Sequence, residues 1–339
     1  MKKILLTGGA GYIGSHIAVA LVDAGFEPII VDNFSNSDRS VITAIESIVN
    51  RKITFHEADC CKFDSILKII KEEKTIVGTI HLAAYKAVGE SVEQPLKYYE
   101  NNIGAMTSVI RAASESGLSN FVFSSSCTVY GTPEIQPVTE ESPWQAAYSP
   151  YGYTKQVCER IMHDFQISKP NTKQVSLRYF NPIGAHPSGK IGELPLGKPN
   201  NLVPYLTQVA AGIREKLTIY GDDYNTADGT CVRDYIHVVD LAAAHVSALR
   251  FMMENNTSQL SVFNIGTGYG VSVKEIIDLF QEVNNMKVNV AYGARRKGDV
   301  EAIYANSEKA NRELGWKAEY STKDALKHAW NWQQNLQEK

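Results

Sequence analysis

Tyr151 and Lys155 stand four residues apart, a spacing that puts both side chains on one face of a helix. An unperturbed phenol, with a pKa of about 10, is only about 0.1% ionised at pH 7, so work as a base near neutrality needs that pKa lowered by up to about 3, or about 4 kcal/mol. An ammonium about 5 Å away, at an effective dielectric near 20, supplies about 3 kcal/mol of this. The pair therefore suits removal of a proton from a hydroxyl, with Ser126, the last of three serines from Ser124, as a hydrogen-bond partner for the same oxygen. Neither feature is specific alone. Tyrosine and lysine at this spacing also occur on solvent faces, and a serine triplet also makes a polar turn.

The start of the chain narrows the chemistry. The apolar run up to Thr7 reads as a buried strand, and Gly8, Gly11 and Gly14 turn it into a helix beginning near Tyr12 and Ile13. Glycine lets the backbone approach a pyrophosphate at a helix N-terminus, where free N–H groups and the dipole favour anions. A second strand ends at Asp32, followed by Asn33, close to the spacing at which a carboxylate accepts hydrogen bonds from an adenosine ribose. An acid there repels a 2′-phosphate, so NAD is favoured over NADP. The cationic nicotinamide of NAD can furnish what Lys155 leaves of the phenol's shift. A glycine turn that only packs a helix on a sheet, and an acid that only closes a turn, are the plain alternatives. The order of all these features along one chain argues against them.

The elements that must position these groups alternate. Apolar strands near 3–7, 27–32, 52–57, 76–82, 119–125 and 174–180 are separated by helical stretches, the pattern of a doubly wound parallel α/β sheet of Rossmann type. A helix is expected over 95–117, with Leu96, Tyr99, Ile103, Met106, Ile110 and Ala113 on one face. After Asn181 a stretch rich in proline and glycine reads as a long functional loop leaving the sheet. Helices over 202–214, 239–252, 273–284, 307–314 and 322–337, with short strands at 217–220 and 262–265, complete a smaller α/β lobe. The division expected is 1–180 for NAD and 181–339 for substrate, with about 234–262 returning to the first unit.

With 339 residues, 44% hydrophobic, 21% charged and a net charge of -3, the composition is that of an ordinary globular enzyme. Nothing in it favours nucleic acid, a membrane span or a secretory leader, so a cytoplasmic location is expected. Five scattered cysteines fit a reducing compartment, and the eight histidines show no zinc spacing, so no metal is expected.

The stretches Thr7-Gly-Gly-Ala-Gly-Tyr-Ile-Gly-Ser-His16, Lys86-Ala-Val-Gly-Glu-Ser91, Ser124-Ser-Ser-Cys-Thr-Val-Tyr-Gly131, Ser149-Pro-Tyr-Gly152, Arg178-Tyr-Phe-Asn-Pro-Ile-Gly-Ala-His-Pro-Ser-Gly189 and Asp228-Gly-Thr-Cys-Val-Arg-Asp-Tyr-Ile-His237 carry a resemblance. The chain resembles the extended short-chain dehydrogenase/reductases and, within them, the UDP-galactose 4-epimerase family over essentially its whole length. The resemblance implies that Asp32 holds the adenosine ribose, Asp59 the adenine, and Lys86 with Asn101 the cofactor's ribose or phosphates, with Cys60 also among the cofactor-binding residues. It implies Tyr179 beside the nicotinamide and Ser124 among the cofactor-binding residues, with Lys86, Ser126, Tyr151 and Phe180 among those that bind substrate. Asn181, Asn201, Leu202, Arg233 and Arg296 would hold the UDP part, with Asp299 on the uridine ribose and Tyr220 against the uracil. Two guanidinium groups suit a pyrophosphate and an aromatic face suits a base. The implied reaction removes the 4-hydroxyl proton through Tyr151 while hydride passes to tightly bound NAD, turns the 4-keto sugar over, and returns hydride to its other face. A homodimer through the helices near 95–117 and 150–168 is also implied.

Three other readings compete. Sugar-nucleotide 4,6-dehydratases need an acidic pair where this chain has Cys127 and Thr128, which disfavours dehydration. A UDP-N-acetylglucosamine 4-epimerase is the nearer rival. A non-catalytic dinucleotide sensor is expected to have lost Tyr151 and Lys155. Ile303 falls where many bacterial relatives have a tyrosine thought to limit pocket size, so acceptance of N-acetylated sugars is open. Gly104 and Ala105 replace a usual Asn-Gly, and Tyr153 replaces a common lysine and points away from the Tyr151/Lys155 face.

Overall fold

A computed structural model describes residues 1–255, 258–296 and 299–337. Lys3–Thr7 (β1), Glu27–Asp32 (β2), Thr54–Glu57 (β3), Ile76–His81 (β4), Asn120–Ser124 (β5), Lys173–Tyr179 (β6) and Leu260–Ile265 (β7) form one sheet in the order β7-β6-β5-β4-β1-β2-β3. Every pairing is parallel. Runs such as Ile4-Leu-Leu6 and Ile29-Ile-Val31 are fully buried because helices cover both faces. Tyr12–Asp23, Ser40–Val49 and Val238–Glu254 pack one face, through Ile17, Ile42 and Leu241 among others. Phe63–Glu72, Gly104–Glu115 and Pro150–Ser168 pack the other, through Ile66, Val109 and Met162. Strand order reverses between β1 and β4, which opens a crevice at the carboxyl ends of the strands.

A second core joins the helices Leu202–Ala210, Val273–Asn284 and Thr322–Gln337 to the parallel pair Leu217–Tyr220 and Val290–Gly293. A three-stranded ribbon of Val271–Ser272, Val232–Arg233 and Ala302–Ile303 lies nearer the crevice, and Asn181–Ile183 pairs with Tyr235–His237. Among the described residues no helix is long and apolar enough to cross a membrane.

Three local expectations are corrected. The strand expected among the short ones at 262–265 is Leu260–Ile265, and it lies in the large sheet beside β6, because its six residues match that strand in parallel register from Gln174 to Tyr179. The helix over 95–117 is not one regular helix: Tyr99–Ile103 forms a π turn between Pro95–Tyr98 and Gly104–Glu115. The extra residue breaks the 3.6-residue repeat, so Met106, Ile110 and Ala113 are buried while Leu96 is 70% exposed and Tyr98 takes the inner position. The helix beginning at Leu202 stops at Ala210, before Arg214, because Gly212 turns the chain with a φ of 72°.

Candidate active site

The glycine turn is built around contacts no side chain permits. Gly8 has a φ of 71°, and a Cβ on Gly14 would lie 2.2 Å from the Gly8 carbonyl oxygen. Gly11 begins the helix without a side-chain cap, which leaves the first-turn N–H groups of Tyr12, Ile13 and Gly14 without a side-chain acceptor. Asp32, at the end of β2, ties this turn down: Oδ2 accepts from Ala10 N–H at 3.0 Å, and Oδ1 accepts from Phe34 N–H at 2.9 Å and Ser37 Oγ at 3.0 Å. A carboxylate has about four lone-pair sites, so three bonds leave Asp32 room for one more. Asn33 is exposed and accepts from Ser35 N–H at 3.0 Å. Past β3, Asp59 Oδ1 accepts from Cys61 N–H at 2.9 Å, while Cys60 is buried in the core.

The Tyr151 helix starts where its sequence says it should. Ser149 caps it, accepting from Gly152 N–H at 3.1 Å, and Pro150 is its first residue. Tyr151, Lys155 and the triple serine at the end of β5 are all buried. Lys155 Nζ donates to the Ser124 carbonyl at 2.7 Å and lies 5.9 Å from the centre of the Tyr151 ring. The Ser124 hydroxyl donates to His245 Nε2 at 2.7 Å, since His245 Nδ1 is committed to the Leu241 carbonyl at 2.8 Å. Ser126 Oγ accepts from Thr128 N–H at 3.2 Å, opening a short 3₁₀ turn over Cys127–Tyr130. Tyr179, at the end of β6, has its ring centre 6.3 Å from that of His245.

Electrostatics in this pocket differ from the sequence expectation. Burial raises the Tyr151 phenol to about 12, partly opposed by its hydrogen bond with Ser126. Burial lowers Lys155 to about 8, partly opposed by the Glu159 carboxylate. Desolvation of both groups therefore outweighs their mutual proximity in the protein alone.

Around the crevice, Lys86 Nζ bonds Glu193 Oε1 at 2.7 Å, and the same oxygen accepts from Asn201 Nδ2 at 2.7 Å. Asn201 precedes Leu202, the first residue of its helix. Asn101 lies in the π turn and donates its amide to Asn102 Oδ1 at 2.9 Å. Asn181 N–H donates to the Asp234 carbonyl at 2.9 Å. Phe180 and Ile303 pack in one buried cluster with Cys127, Val129 and Tyr130, so Ile303 belongs to the wall beside Ser126. Arg233 is flanked in its ribbon by Val271 and Ile303. Asp299 Oδ1 accepts from Arg296 Nη2 at 2.8 Å and lies 3.8 Å from Arg233 Nη2, and the Arg296 guanidinium is 5.9 Å from the centre of the exposed Tyr220 ring. Arg233, Arg296, Asp299 and Tyr220 are thus one group, and Lys86 with Asn201 another.

Several polar residues here escaped the sequence reading. Asn102 is buried, binds both backbone groups of Tyr85 and donates to Thr154 Oγ1 at 3.1 Å. Glu193 bridges two expected ligand residues from within the proline- and glycine-rich segment, where no spacing marks it. Asp234, fully buried, accepts from Thr267, Gly268 and Ala305 N–H groups. Glu159 follows Lys155 by four residues, continuing the spacing that joins Tyr151 to Lys155, and that repeat was the available signal. Among the described residues no cluster of three or more side chains suits a metal ion.

Comparisons with known proteins agree with this geometry. A family profile described as GDP-mannose 4,6 dehydratase matches residues 5–329. UDP-glucose 4-epimerase 2 of Arabidopsis thaliana is 47% identical over 98% of this chain and 95% of its own. Among solved structures, the UDP-glucose-4-epimerase of Stenotrophomonas maltophila, with bound NAD and formylated UDP-arabinopyranose, superposes with a TM-score of 0.96 at 42% identity, covering 100% of this chain and 99% of that one. The Bifidobacterium longum UDP-glucose 4-epimerase, in complex with NAD+ and UDP, gives 0.95 at 41% identity, covering 98% of each chain. A full-length match in sequence and fold, together with a glycine turn, a buried Tyr151/Lys155 pair and a paired-arginine group around one crevice, shows that this chain belongs to the UDP-glucose 4-epimerase family.

Proposed function

We propose that the protein interconverts UDP-galactose and UDP-glucose, with NAD retained through the cycle. The observation that carries this reading is the convergence of Tyr151, Lys155 and Ser126 at the end of β5, in the same crevice as the glycine turn. The residues present fit NAD: the turn has no room for a Cβ at Gly14, the helix start is uncapped, and Asp32 keeps one acceptor site for a ribose hydroxyl. Gly8, Gly11, Tyr12, Ile13, Gly14, Asp32, Asn33, Asp59, Cys60, Lys86, Asn101, Ser124 and Tyr179 would hold it. When bound, NAD supplies the hydride acceptor and a positive ring charge.

Tyr151 takes the proton of the sugar 4-hydroxyl, and Ser126 holds the same oxygen. Lys155 keeps a positive charge behind the phenol, anchored on the Ser124 carbonyl. Arg233 and Arg296 leave Asp299 in part to grip the diphosphate, Asp299 meets the uridine ribose, and Tyr220 covers the uracil, with Asn181, Asn201 and Leu202 completing the UDP site. Tethering by UDP lets the 4-keto sugar turn over without escaping, so binding energy remote from C4 serves the reaction. Phe180 and Ile303 form the apolar wall along which it turns. Cys127 and Thr128 carry no carboxylate, and burial raises the Cys127 thiol to about 12, which argues against the proton transfer of a dehydratase.

In this reading residues 1–180 with the returning segment near 234–262 form the NAD unit, and the rest the UDP-sugar unit. A homodimer is part of the proposal, supported by apolar side chains left outside on adjoining helices: Val92 is 61%, Leu96 70% and Tyr153 51% exposed. UDP-galactose and UDP-N-acetylgalactosamine, each incubated with the protein and no added cofactor, test the function by NMR. Inversion of the first alone supports the narrow assignment, inversion of both a broader one, and inversion of neither refutes the proposal.

A further inference from the structure

We infer that Glu159, clamped by Arg178, is a positioning residue for the 4-epimerase reaction proposed above, holding the triple serine against the helix that carries Tyr151 and Lys155 and setting the charge behind them. Glu159 Oε1 accepts from Ser125 Oγ at 2.5 Å, Ser176 Oγ at 2.9 Å and Arg178 Nε at 3.0 Å, and Oε2 accepts from Arg178 Nη2 at 2.6 Å. Arg178 Nη1 goes on to the Tyr130 hydroxyl at 3.0 Å and the Glu140 carbonyl at 3.3 Å, and Tyr130 donates to Asn264 Oδ1 at 2.6 Å. One buried ion pair thereby joins the Tyr151 helix, the end of β5, β6, the turn after Ser126 and β7. Ser125 sits between the serine whose carbonyl anchors Lys155 and the serine that bonds Tyr151, so a shift of Ser125 moves both.

Buried ion pairs often contribute little net stability over apolar groups of equal size. This one is placed where geometry and charge matter to chemistry. The groups facing Lys155 are His81 from β4, the Ser124 carbonyl and the Phe123 ring from β5, and Tyr151, Cys158 and Glu159 from its own helix. Burial holds His81 down at about 3 and Cys158 up at about 12, so both are neutral near pH 7. Glu159, whose own counter-charge is Arg178, is the carboxylate among them, and it favours the charged form of Lys155.

The test uses the holoenzyme. Glu159→Gln is expected to lower kcat on UDP-galactose by about 10-fold or more with KM changed by less than about 3-fold, the signature of a group that does not bind substrate. The alkaline limb of the rate profile, set where Lys155 loses its proton near pH 8, moves to lower pH in this variant, because Lys155 without the carboxylate loses its proton earlier. Arg178→Lys and Glu159→Asp keep both charges but break the bonding pattern, so kcat falls while the limb stays. Unchanged kcat in these two variants overturns the inference even where Glu159→Gln does not fold, and so does a Glu159→Gln limb that does not move. Nitrogen-15 NMR titration of the Lys155 ammonium needs no turnover: a lower pKa in Glu159→Gln than in wild type is expected, and equal values contradict the inference. Wild-type protein that inverts no UDP-galactose counts instead against the function proposed above.

Discussion

Lys155 Nζ donates to the carbonyl oxygen of Ser124 at 2.7 Å, which fixes the ammonium under the Tyr151 ring rather than leaving it on a mobile stem. Because burial brings Lys155 down to about 8 from an ordinary 10.5, its charge is present below that pH and lost above it. The rate of inversion is expected to fall as pH rises through about 8. Lys155→Met, which carries no charge at any pH, is expected to be slow throughout and to lack this limb. A wild-type profile flat from pH 7 to 9.5 would contradict the assignment.

Four buried histidines predict how the protein responds to acid. His16, His81 and His237 are held near 3, and His245 near 4, chiefly by burial. Below about 6.5 the unfolded chain takes up protons that these native side chains refuse, so stability is present above that pH and falls as pH drops. Well below it each such histidine removes about 1.4 kcal/mol per pH unit. Thermal melts are expected to show Tm dropping steadily between pH 7 and 5, and a constant Tm would refute this.

Asp32 holds the glycine turn together through the backbone N–H groups of Ala10 and Phe34, and in the function proposed above the same carboxylate meets the NAD ribose. Asp32→Ala is expected to cost about 1–3 kcal/mol of stability by leaving buried donors unpaired. The purified variant is expected to carry much less NAD than wild type, measured on the supernatant after denaturation. Equal NAD content would remove Asp32 from the cofactor site.

Arg296 spends its guanidinium on Asp299 at 2.8 Å while remaining 58% exposed. Arg296→Ala is therefore expected to change stability by no more than about 0.5 kcal/mol. Loss of one charge-assisted contact to a diphosphate, worth about 1.5–3 kcal/mol, should raise KM for UDP-galactose by about 10- to 150-fold. Steady-state kinetics beside a thermal melt separate the two effects, and an unaltered KM would place the diphosphate elsewhere.

The sheet, the glycine turn and the Tyr151/Lys155 pair of the candidate site were legible because local spacing encodes them. Gly8, Gly11 and Gly14 answer to steric contacts within one turn, and Tyr151 with Lys155 to the pitch of one helix. Long-range facts were not legible. Leu260–Ile265 is a short apolar run, and only pairing with a strand 86 residues earlier reveals it as the seventh strand of the large sheet. The π turn at Tyr99–Ile103 hid because one added residue shifts the apolar repeat without erasing it. Glu193 and Arg178 are single charged residues whose partners come from distant segments, so no pattern in the chain announces them. The direction of the Tyr151 shift was missed for a similar reason: a neighbouring lysine can be read from spacing, whereas the depth of burial belongs to the folded protein.

The most direct test is inversion of UDP-galactose by Tyr151→Phe protein with its NAD still bound, followed by NMR beside wild type. Removal of the group proposed to accept the 4-hydroxyl proton is expected to slow turnover by about 10²- to 10⁴-fold while NAD and UDP are still held. A Tyr151→Phe protein that interconverts the two sugars at the wild-type rate would contradict the account.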